Sequence, residues 1–220
     1  MRRYYLLMIF VFMMGFLLQS FYTKPEISPI MNPPSTKIEL GEALFFDPIL
    51  SSDSSVSCAS CHNPKFGFAD TLAFSNGVNG KKTSRNTPSV LNMKNRKFFF
   101  WDGRAKTLAE QALGPIANPD EMNLPIPQAV QRLNQNPVYK AAFQQLFQSP
   151  VTAENLGQAL AAFEETLEIE NTPFDRYMEG DEKAIPESAK RGLDLFNGKA
   201  GCINRSEERR VGKECRSRWA

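Results

Sequence analysis

The clearest pattern of apolar and polar positions begins behind Thr152. Apolar side chains recur there at i, i+4, i+7 and i+11, which is the spacing of one face of an α-helix. They are Leu156, Leu160, Phe163 and Leu167. Thr152 stands where a hydroxyl can cap the first turn. The pattern therefore predicts an amphipathic helix whose stripe belongs to the core.

A second helix is predicted at the start of the body of the chain. Ser35 and Thr36 can cap it, and Pro48 ends it just after Phe46. The apolar face assigned to this helix consists of Ile38, Leu44 and Phe45.

Shorter helical patterns cover residues 128–133 and 138–147, broken at Pro137. Residues 51–57 are almost entirely Ser and Asp, and residues 63–95 mix Gly, Asn, Pro and basic residues without a period. No sustained strand alternation is present. A loop of this length inside a domain is typical of a segment that wraps a large group. The predicted class is mainly α with long loops.

The first residues have the pattern of an export signal. Arg2 and Arg3 precede an apolar run over residues 4–18, and polar sequence follows from Gln19. Residues 1–22 are therefore predicted to be a signal peptide or an N-terminal anchor, since residues 4–22 approach the length of a membrane span. A buried N-terminal helix is the remaining alternative. Residues 23–34 hold four prolines and are predicted to be a linker. We expect a periplasmic protein.

Composition, net charge and the number of histidines exclude some classes of function. The chain is 42% apolar and 23% charged, which is ordinary for a globular protein. A net charge of +2 gives no field that favours nucleic acid. Six of the 26 basic residues lie within residues 205–220, and without that segment the balance is −1. The chain holds a single histidine, which excludes any site that needs two.

That histidine completes the motif Cys58-Ala59-Ser60-Cys61-His62. C-x-x-C-H is the attachment sequence of a c-type haem, in which two thiols form thioethers to the porphyrin and the histidine ligates iron. A dithiol redox motif, a zinc site and a local disulfide are the alternatives. The first lacks a βαβ context, the second lacks nearby ligands, and the third would close a tight loop.

A faint repeat suggests a second module of the same kind. The pattern G-x-x-L-F at Gly41 recurs at Gly192, and each copy precedes a cysteine, Cys58 and Cys202. Cys202 is therefore a candidate haem-binding residue of the second module, but that copy does not continue to C-H, because residues 205 and 206 are Arg and Ser. Residues 205–220 then become highly charged without a period. We interpret them as a non-native tail, with an evolved basic tail as the alternative.

Seven ordered blocks now show a resemblance to the bacterial di-haem cytochrome c peroxidases and to their relatives that modify a protein tryptophan. The blocks are LGEALFFDPILS from Leu40, SCASCHNP from Ser57, RNTPSVLN from Arg85, FWDGRA from Phe100, EQALGPI from Glu110, NPDEM from Asn118 and PFDRY from Pro173. The resemblance covers roughly residues 38–204.

The resemblance implies a cytochrome c-like haem domain over residues 35–170 and the start of a similar second domain over 171–204. It implies reduction of hydrogen peroxide to water with electrons from a small cytochrome c or cupredoxin. By motif, Cys58 and Cys61 hold the peroxidatic haem and His62 is its proximal metal ligand. Two haems are expected in a full protein, and one can be attached in this chain. Calcium between the domains and a homodimer are further family traits.

Three catalytic residues follow from the same resemblance. Glu121 matches the distal acid that moves the peroxide proton, Gln111 matches the amide that orients peroxide, and Trp101 matches the aromatic side chain between the two haems. Each of these three residues also has an alternative interpretation without a catalytic role. Glu121 could be a carboxylate that favours a helix start, Gln111 a helix-surface residue, and Trp101 part of the core.

One departure bears on the iron. Many family members carry a histidine in the loop after the haem motif, whereas residues 63–91 hold none. Either the site is open or another group caps it. A mono-haem electron carrier without catalysis is the competing function, and it would use Met93 or Met122 as a distal ligand.

Overall fold

The computed structural model describes residues 33–202. The predicted signal or anchor, nearly all of the linker and the tail at 205–220 lie outside the described residues. The chain divides into units 1–33 and 34–220, and every element below belongs to the second. The predicted boundary between residues 170 and 171 stays a prediction. Within the described part, no helix has the length and apolar character needed to cross a membrane.

Helices supply the regular structure of residues 33–202. They are α1 Lys37–Phe46, α2 Cys58–Cys61, α3 Leu108–Ala117, α4 Ile126–Gln135, α5 Pro137–Phe147, α6 Ala153–Glu164, α7 Pro173–Met178 and α8 Glu187–Asn197. Short 3₁₀ turns occupy Pro48–Leu50, Pro64–Phe66 and Val78–Gly80. The described residues contain isolated β-bridges but no strand. The prediction of a mainly α protein with long loops is confirmed.

Helix α6 begins where the sequence predicts. Thr152 Oγ1 accepts a hydrogen bond from the Asn155 amide at 3.2 Å, and Phe163 belongs to the buried core. Leu167, the last residue of the predicted stripe, lies beyond the helix. The Leu167 amide donates instead to the Glu164 carbonyl at 3.1 Å, an i→i−3 bond that tightens and ends the helix. Leu167 still packs against the core.

Helix α1 has the predicted bounds, and its buried face differs from the prediction at one residue. Thr36 Oγ1 accepts from the Glu39 amide at 3.1 Å and caps the first turn. Ile38, predicted to be apolar and inward, is 45% exposed, so that assignment is wrong. Leu44 and Phe45 are fully buried as predicted, and Leu40 is buried in place of Ile38. Two residues correspond to about 200° of helix rotation, which places Ile38 opposite Leu40.

Two glycines let α6 pack closely between α1 and α3. A Cβ on Gly41 of α1 would stand 2.0 Å from the Ala159 carbonyl oxygen of α6. A Cβ on Gly157 of α6 would stand 2.5 Å from the Ala109 carbonyl oxygen of α3. Neither helix pair leaves room for a methyl group, so the helix backbones are in contact. This packing fixes α1, α3 and α6 around one internal space.

Helices α4 and α5 form a hairpin that holds the segment before the haem motif. Asn136 alone separates them, and Pro137 is the first residue of α5, a position that needs no amide hydrogen. On α4, Arg132 donates to the carbonyls of Ile49, Ser51 and Ser52 at 2.7, 2.6 and 3.2 Å. The guanidinium therefore ties the loop that leads into α2 to the helical core.

Candidate functional site

A cavity open to solvent lies among α1, α2, α3, α6 and the long loop, and its empty space, with the solvent at its mouth included, is about 540 Å³. Five of the sequence-predicted residues meet in its wall. The wall is lined by Phe45, Val56, Ser57, Cys58, Cys61, His62, Asn76, Gly77, Val90, Gln111, Ala112, Pro115, Glu121, Met122 and Glu164.

The short helix α2 presents the two thiols. Cys58 and Cys61 are three residues apart in one helical turn, so their side chains share a face, and both thiols are free. The Ser57 amide donates to Ser60 Oγ at 2.9 Å and closes the start of the turn. Burial raises the pKa of both thiols. A redox-active dithiol needs a thiol with a lowered pKa, so the burial of the two thiols disfavours the alternative of a dithiol redox motif.

His62 follows α2 with its imidazole held by the backbone. Its amide donates to the Cys58 carbonyl at 2.9 Å, and Nδ1 lies 3.1 Å from the Phe68 carbonyl oxygen. Because a carbonyl only accepts, Nδ1 carries the hydrogen and Nε2 keeps its lone pair for a metal. Burial lowers the pKa of His62, which favours this neutral form.

Phe68 reaches His62 through an unusual backbone conformation. Its φ is 55°, in the left-handed region that residues other than glycine seldom adopt. The Phe68 carbonyl also accepts from the Val90 amide at 3.3 Å, and its ring meets Phe45 edge-on at 6.2 Å between centroids. The backbone strain of the loop therefore lies at Phe68, the residue whose carbonyl oxygen orients the imidazole of His62.

Glu121 lies in the turn after α3. Asn118, the residue that ends α3, donates from Nδ2 to Glu121 Oε1 at 2.6 Å. Burial raises the pKa of Glu121, and the Asn118 hydrogen bond opposes part of that rise. Because Glu121 follows the end of a helix, the alternative of a helix-start carboxylate is wrong. A half-buried carboxyl with a raised pKa can both accept and return a proton.

Gly77 allows the long loop to approach this turn. A Cβ on Gly77 would stand 2.1 Å from the Asp120 carbonyl oxygen, and the Val78 amide donates to the Glu121 carbonyl at 2.8 Å. The long loop therefore holds the backbone at Asp120 and Glu121 through two of its neighbouring residues.

Gln111 lies half-buried on α3 and lines the cavity. Pro115 lies one turn further along the same helix and has no amide hydrogen to donate to the Gln111 carbonyl. The alternative of an ordinary surface glutamine does not describe this position.

Trp101 and Cys202 are not among the residues that line the cavity. Trp101 is 78% exposed, with the Arg85 guanidinium 5.1 Å from its ring, so the core-packing alternative is wrong. Cys202 is half-buried, and its thiol lies 3.7 Å from the Ala200 carbonyl oxygen. The predicted roles of both residues stay predictions.

The two methionines considered as distal ligands differ in position. Met122 is buried and lines the cavity. Met93 packs against the core, and its sulfur lies 3.6 Å from Arg96 Nη1. Of the two, Met122 is the one beside the candidate site.

Glu164 is a cavity residue that the sequence analysis missed. It is 5% exposed at the end of α6, and its Oε2 has no hydrogen-bond partner within residues 33–202. Burial raises its pKa to about 8. The signal was available, because Glu164 continues the i, i+4 spacing of Leu156 and Leu160. A carboxylate on an apolar stripe indicates a buried acid.

The residues of the cavity fit a haem c. Two thiols and a neutral imidazole share one part of an otherwise largely apolar wall, and the wall also holds the half-buried Glu121, the buried Glu164 and an amide. Across residues 33–202 there is no cluster of three or more His, Cys, Asp and Glu side chains that could hold a separate metal ion. The covalent attachment and axial ligation that a haem c needs are both available here.

Comparison with known proteins agrees with the assignment of this cavity to haem c. A family model for di-haem cytochrome c peroxidase matches residues 35–183. Methylamine utilization protein MauG of Methylorubrum extorquens is 46% identical over 190 residues, or 84% of this chain and 54% of that protein. Cytochrome c551 peroxidase of Pseudomonas aeruginosa is 44% identical over 172 residues, or 76% of this chain and 49% of that protein. The chain spans about half the length of these curated relatives.

A solved structure shares the fold. The crystal structure of a MauG-like protein associated with microbial copper homeostasis aligns with a TM-score of 0.68 and 31% identity. The alignment covers 83% of this chain and 55% of that one.

Proposed function

Because the chain belongs to the di-haem cytochrome c peroxidase family, we propose that it binds haem c and reduces hydrogen peroxide to water. The observation that carries the proposal is the meeting of five residues in one cavity. Cys58, Cys61 and His62 supply attachment and ligation, and Gln111 and Glu121 supply the polar groups that peroxide needs. The overall reaction consumes one peroxide, two electrons and two protons and yields two waters.

The protein residues have separate tasks. A bound haem c supplies the iron at which peroxide binds and the route for electrons. Gln111 donates an amide hydrogen to peroxide and orients it. Glu121 accepts the proton of one oxygen and returns it to the oxygen that leaves as water. Asn118 occupies Oε1 of Glu121, so we assign the transferred proton to Oε2.

The side opposite His62 is proposed to be open to peroxide. His62 is the only histidine of these 220 residues, so this chain offers no second imidazole for that side. An open site makes the oxidised protein high-spin without prior reduction. A low-spin oxidised spectrum would contradict this and would point to Met122 as the distal ligand.

The first experiment measures attachment. The full chain is produced with a c-type haem maturation system, and covalent haem is measured by pyridine haemochrome. We expect one haem per chain. The double variant Cys58→Ala, Cys61→Ala is expected to carry none, and two haems per chain would contradict the proposal that Cys202 lacks an attachment partner.

The second experiment tests catalysis at Glu121. Glu121→Gln in the haem-loaded chain is expected to slow the direct reaction with peroxide by about 10² or more, as for a positioned acid and base. Asp120→Asn is the matched control, because Asp120 lies in the same turn and is exposed. A Glu121→Gln protein that kept the full rate would favour the electron carrier without catalysis.

A second candidate function is oxidative modification of a tryptophan in another protein. The identity of 46% with a methylamine utilization protein supports it. The two functions differ in product, which can be measured directly. A peroxidase oxidises a reduced small cytochrome c or cupredoxin when peroxide is added, whereas the alternative leaves a modified tryptophan in a protein substrate.

Export to the periplasm belongs to the proposal. Its support is the pair Arg2 and Arg3 before the apolar run 4–18. Fractionation of cells that produce the full chain tests it. Haem-loaded protein in the cytoplasmic fraction would contradict it.

A further inference from the structure

Glu164 is a buried acid that the peroxidase proposal does not use. Its position at the end of α6 places the carboxyl in the wall of the cavity that holds Cys58 and His62. It is 5% exposed, and Oε2 lacks a hydrogen-bond partner among the described residues. Such a group costs free energy when charged and unpaired in an apolar interior. Glu164 therefore favours its neutral, protonated form unless a change of charge in the loaded cavity compensates the carboxylate.

The charged groups around Glu164 do not supply that partner. Burial alone accounts for the rise in its pKa, with no contribution from a cation. Cys58 senses the charge of Glu164, but a thioether sulfur carries no charge. His62 interacts with Phe68, Pro88 and Asp70 rather than with Glu164.

The charged side chains on the helices that pack against α6 are exposed or already hydrogen-bonded. The carboxylates of α1 and α3 are exposed, and the guanidinium of α4 is bound to loop carbonyls. These groups are Glu39, Glu42, Glu110 and Arg132. Within the described part of the cavity wall, Glu121 is therefore the other acid whose charge can change near a bound haem.

We propose that Glu164 couples protons to electrons at the haem held by Cys58 and Cys61. When the iron accepts one electron from a one-electron donor, Glu164 takes up one proton from water and becomes a neutral carboxylic acid. When the electron leaves, the O–H bond breaks and the proton returns to solvent. The net charge of the cavity is the same before and after, which avoids adding uncompensated charge to an apolar space. The inference rests on haem attachment but not on peroxide chemistry.

The test is a measurement of the haem midpoint potential from pH 6 to pH 10 in the haem-loaded full chain. In the wild type, ionised Glu164 stabilises the oxidised iron, so the potential falls as pH rises. Glu164→Gln has a side chain of the same shape that stays neutral, so its potential should keep the low-pH value. We expect the two curves to coincide near pH 6. At pH 10 the wild-type potential should be lower than that of Glu164→Gln by about 59 mV or more. For a one-electron couple, 59 mV is a tenfold change in the ratio of reduced to oxidised haem.

Two comparisons separate this effect from other titrations. Glu165→Gln is the matched control, because Glu165 is the next residue and is exposed; it should follow the wild type. The difference made by Glu164→Gln should also persist in a Glu121→Gln background. Parallel wild-type and Glu164→Gln curves would overturn the proposal, even in a protein that reduces peroxide.

A second measurement does not depend on the variant being well folded. The reduced-minus-oxidised infrared difference spectrum of the wild type near pH 8 should gain the carbonyl stretch of a protonated carboxylic acid. Its absence would overturn the proposal. A protein that shows this band but fails to react with peroxide would overturn the proposed function instead.

Discussion

Replacing Gly41 with alanine should destabilise the protein, although alanine is the better helix former. In an isolated helix the change is worth about 1 kcal/mol in favour of alanine. In α1 the new Cβ would stand 2.0 Å from the Ala159 carbonyl oxygen and 2.9 Å from the Phe163 Cβ. Overpacking costs about 1–3 kcal/mol, and a backbone carbonyl cannot rotate away, which favours the upper end of that range.

The expected net effect is a loss of about 2 kcal/mol in the free energy of unfolding. For a domain of this size that corresponds to a fall of about 4–8 °C in Tm. Urea unfolding of the haem-loaded chain, followed by helical circular dichroism, measures the change through the midpoint at constant slope. Because α1 and α6 both line the cavity, the haem absorption spectrum should shift as well.

Gly192→Ala in α8 is the matched control. A Cβ there meets nothing within 4 Å, so only the helix preference remains, and stability should stay equal or rise by up to about 1 kcal/mol. The reasoning would be refuted if Gly41→Ala were as stable as the wild type. It would also be refuted if both variants changed stability in the same direction by similar amounts.

Three further outcomes test other contacts. Tyr139→Phe removes the 2.6 Å hydrogen bond from its hydroxyl to Asp47 Oδ2 and should lower the free energy of unfolding by about 1.5–3 kcal/mol; equal urea midpoints would contradict this. Arg132→Lys loses the planar fork that serves three carbonyls and should raise amide exchange in the 49–52 loop, whereas unchanged exchange would refute that role. In the haem-free chain, the raised pKa of Glu164 means that its contribution to stability is present below pH 4.5 and is lost as pH rises to about 8. Glu164→Gln should flatten that decline in urea midpoints, and a decline as steep as that of the wild type would count against it.

Local patterns predicted the parts of the fold that depend on neighbouring residues. The bounds of α1 and the start of α6 follow from threonine caps and apolar spacing, and both are confirmed. Helix α3 was harder to predict because Gly114 and Pro115 lie inside it, and both disfavour a helix interior. Its packing against α6 through Gly157 stabilises it regardless.

The inward face of α1 shows where local pattern fails. The sequence allows Ile38, Leu44 and Phe45 as one apolar group, but only the position of α6 selects the face that is buried. Gly41 contributes to that choice, since its missing side chain is what lets the backbone of α1 contact the Ala159 carbonyl of α6. The periodicity of a sequence shows which residues share one face of a helix, but it carries no information on where the neighbouring helix lies.

The haem motif is the part of the site that the sequence alone determined, because thioether attachment and ligation depend on a fixed spacing within five residues. The tertiary structure decided which distant residues face that motif. It brought Gln111, Glu121 and Glu164 to the same cavity, and it left Trp101 exposed. Their separations along the chain carry no fixed period, so only the packing of α1, α3 and α6 sets their distances. Burial, which has no sequence signature of its own, then raises the pKa of both carboxyls.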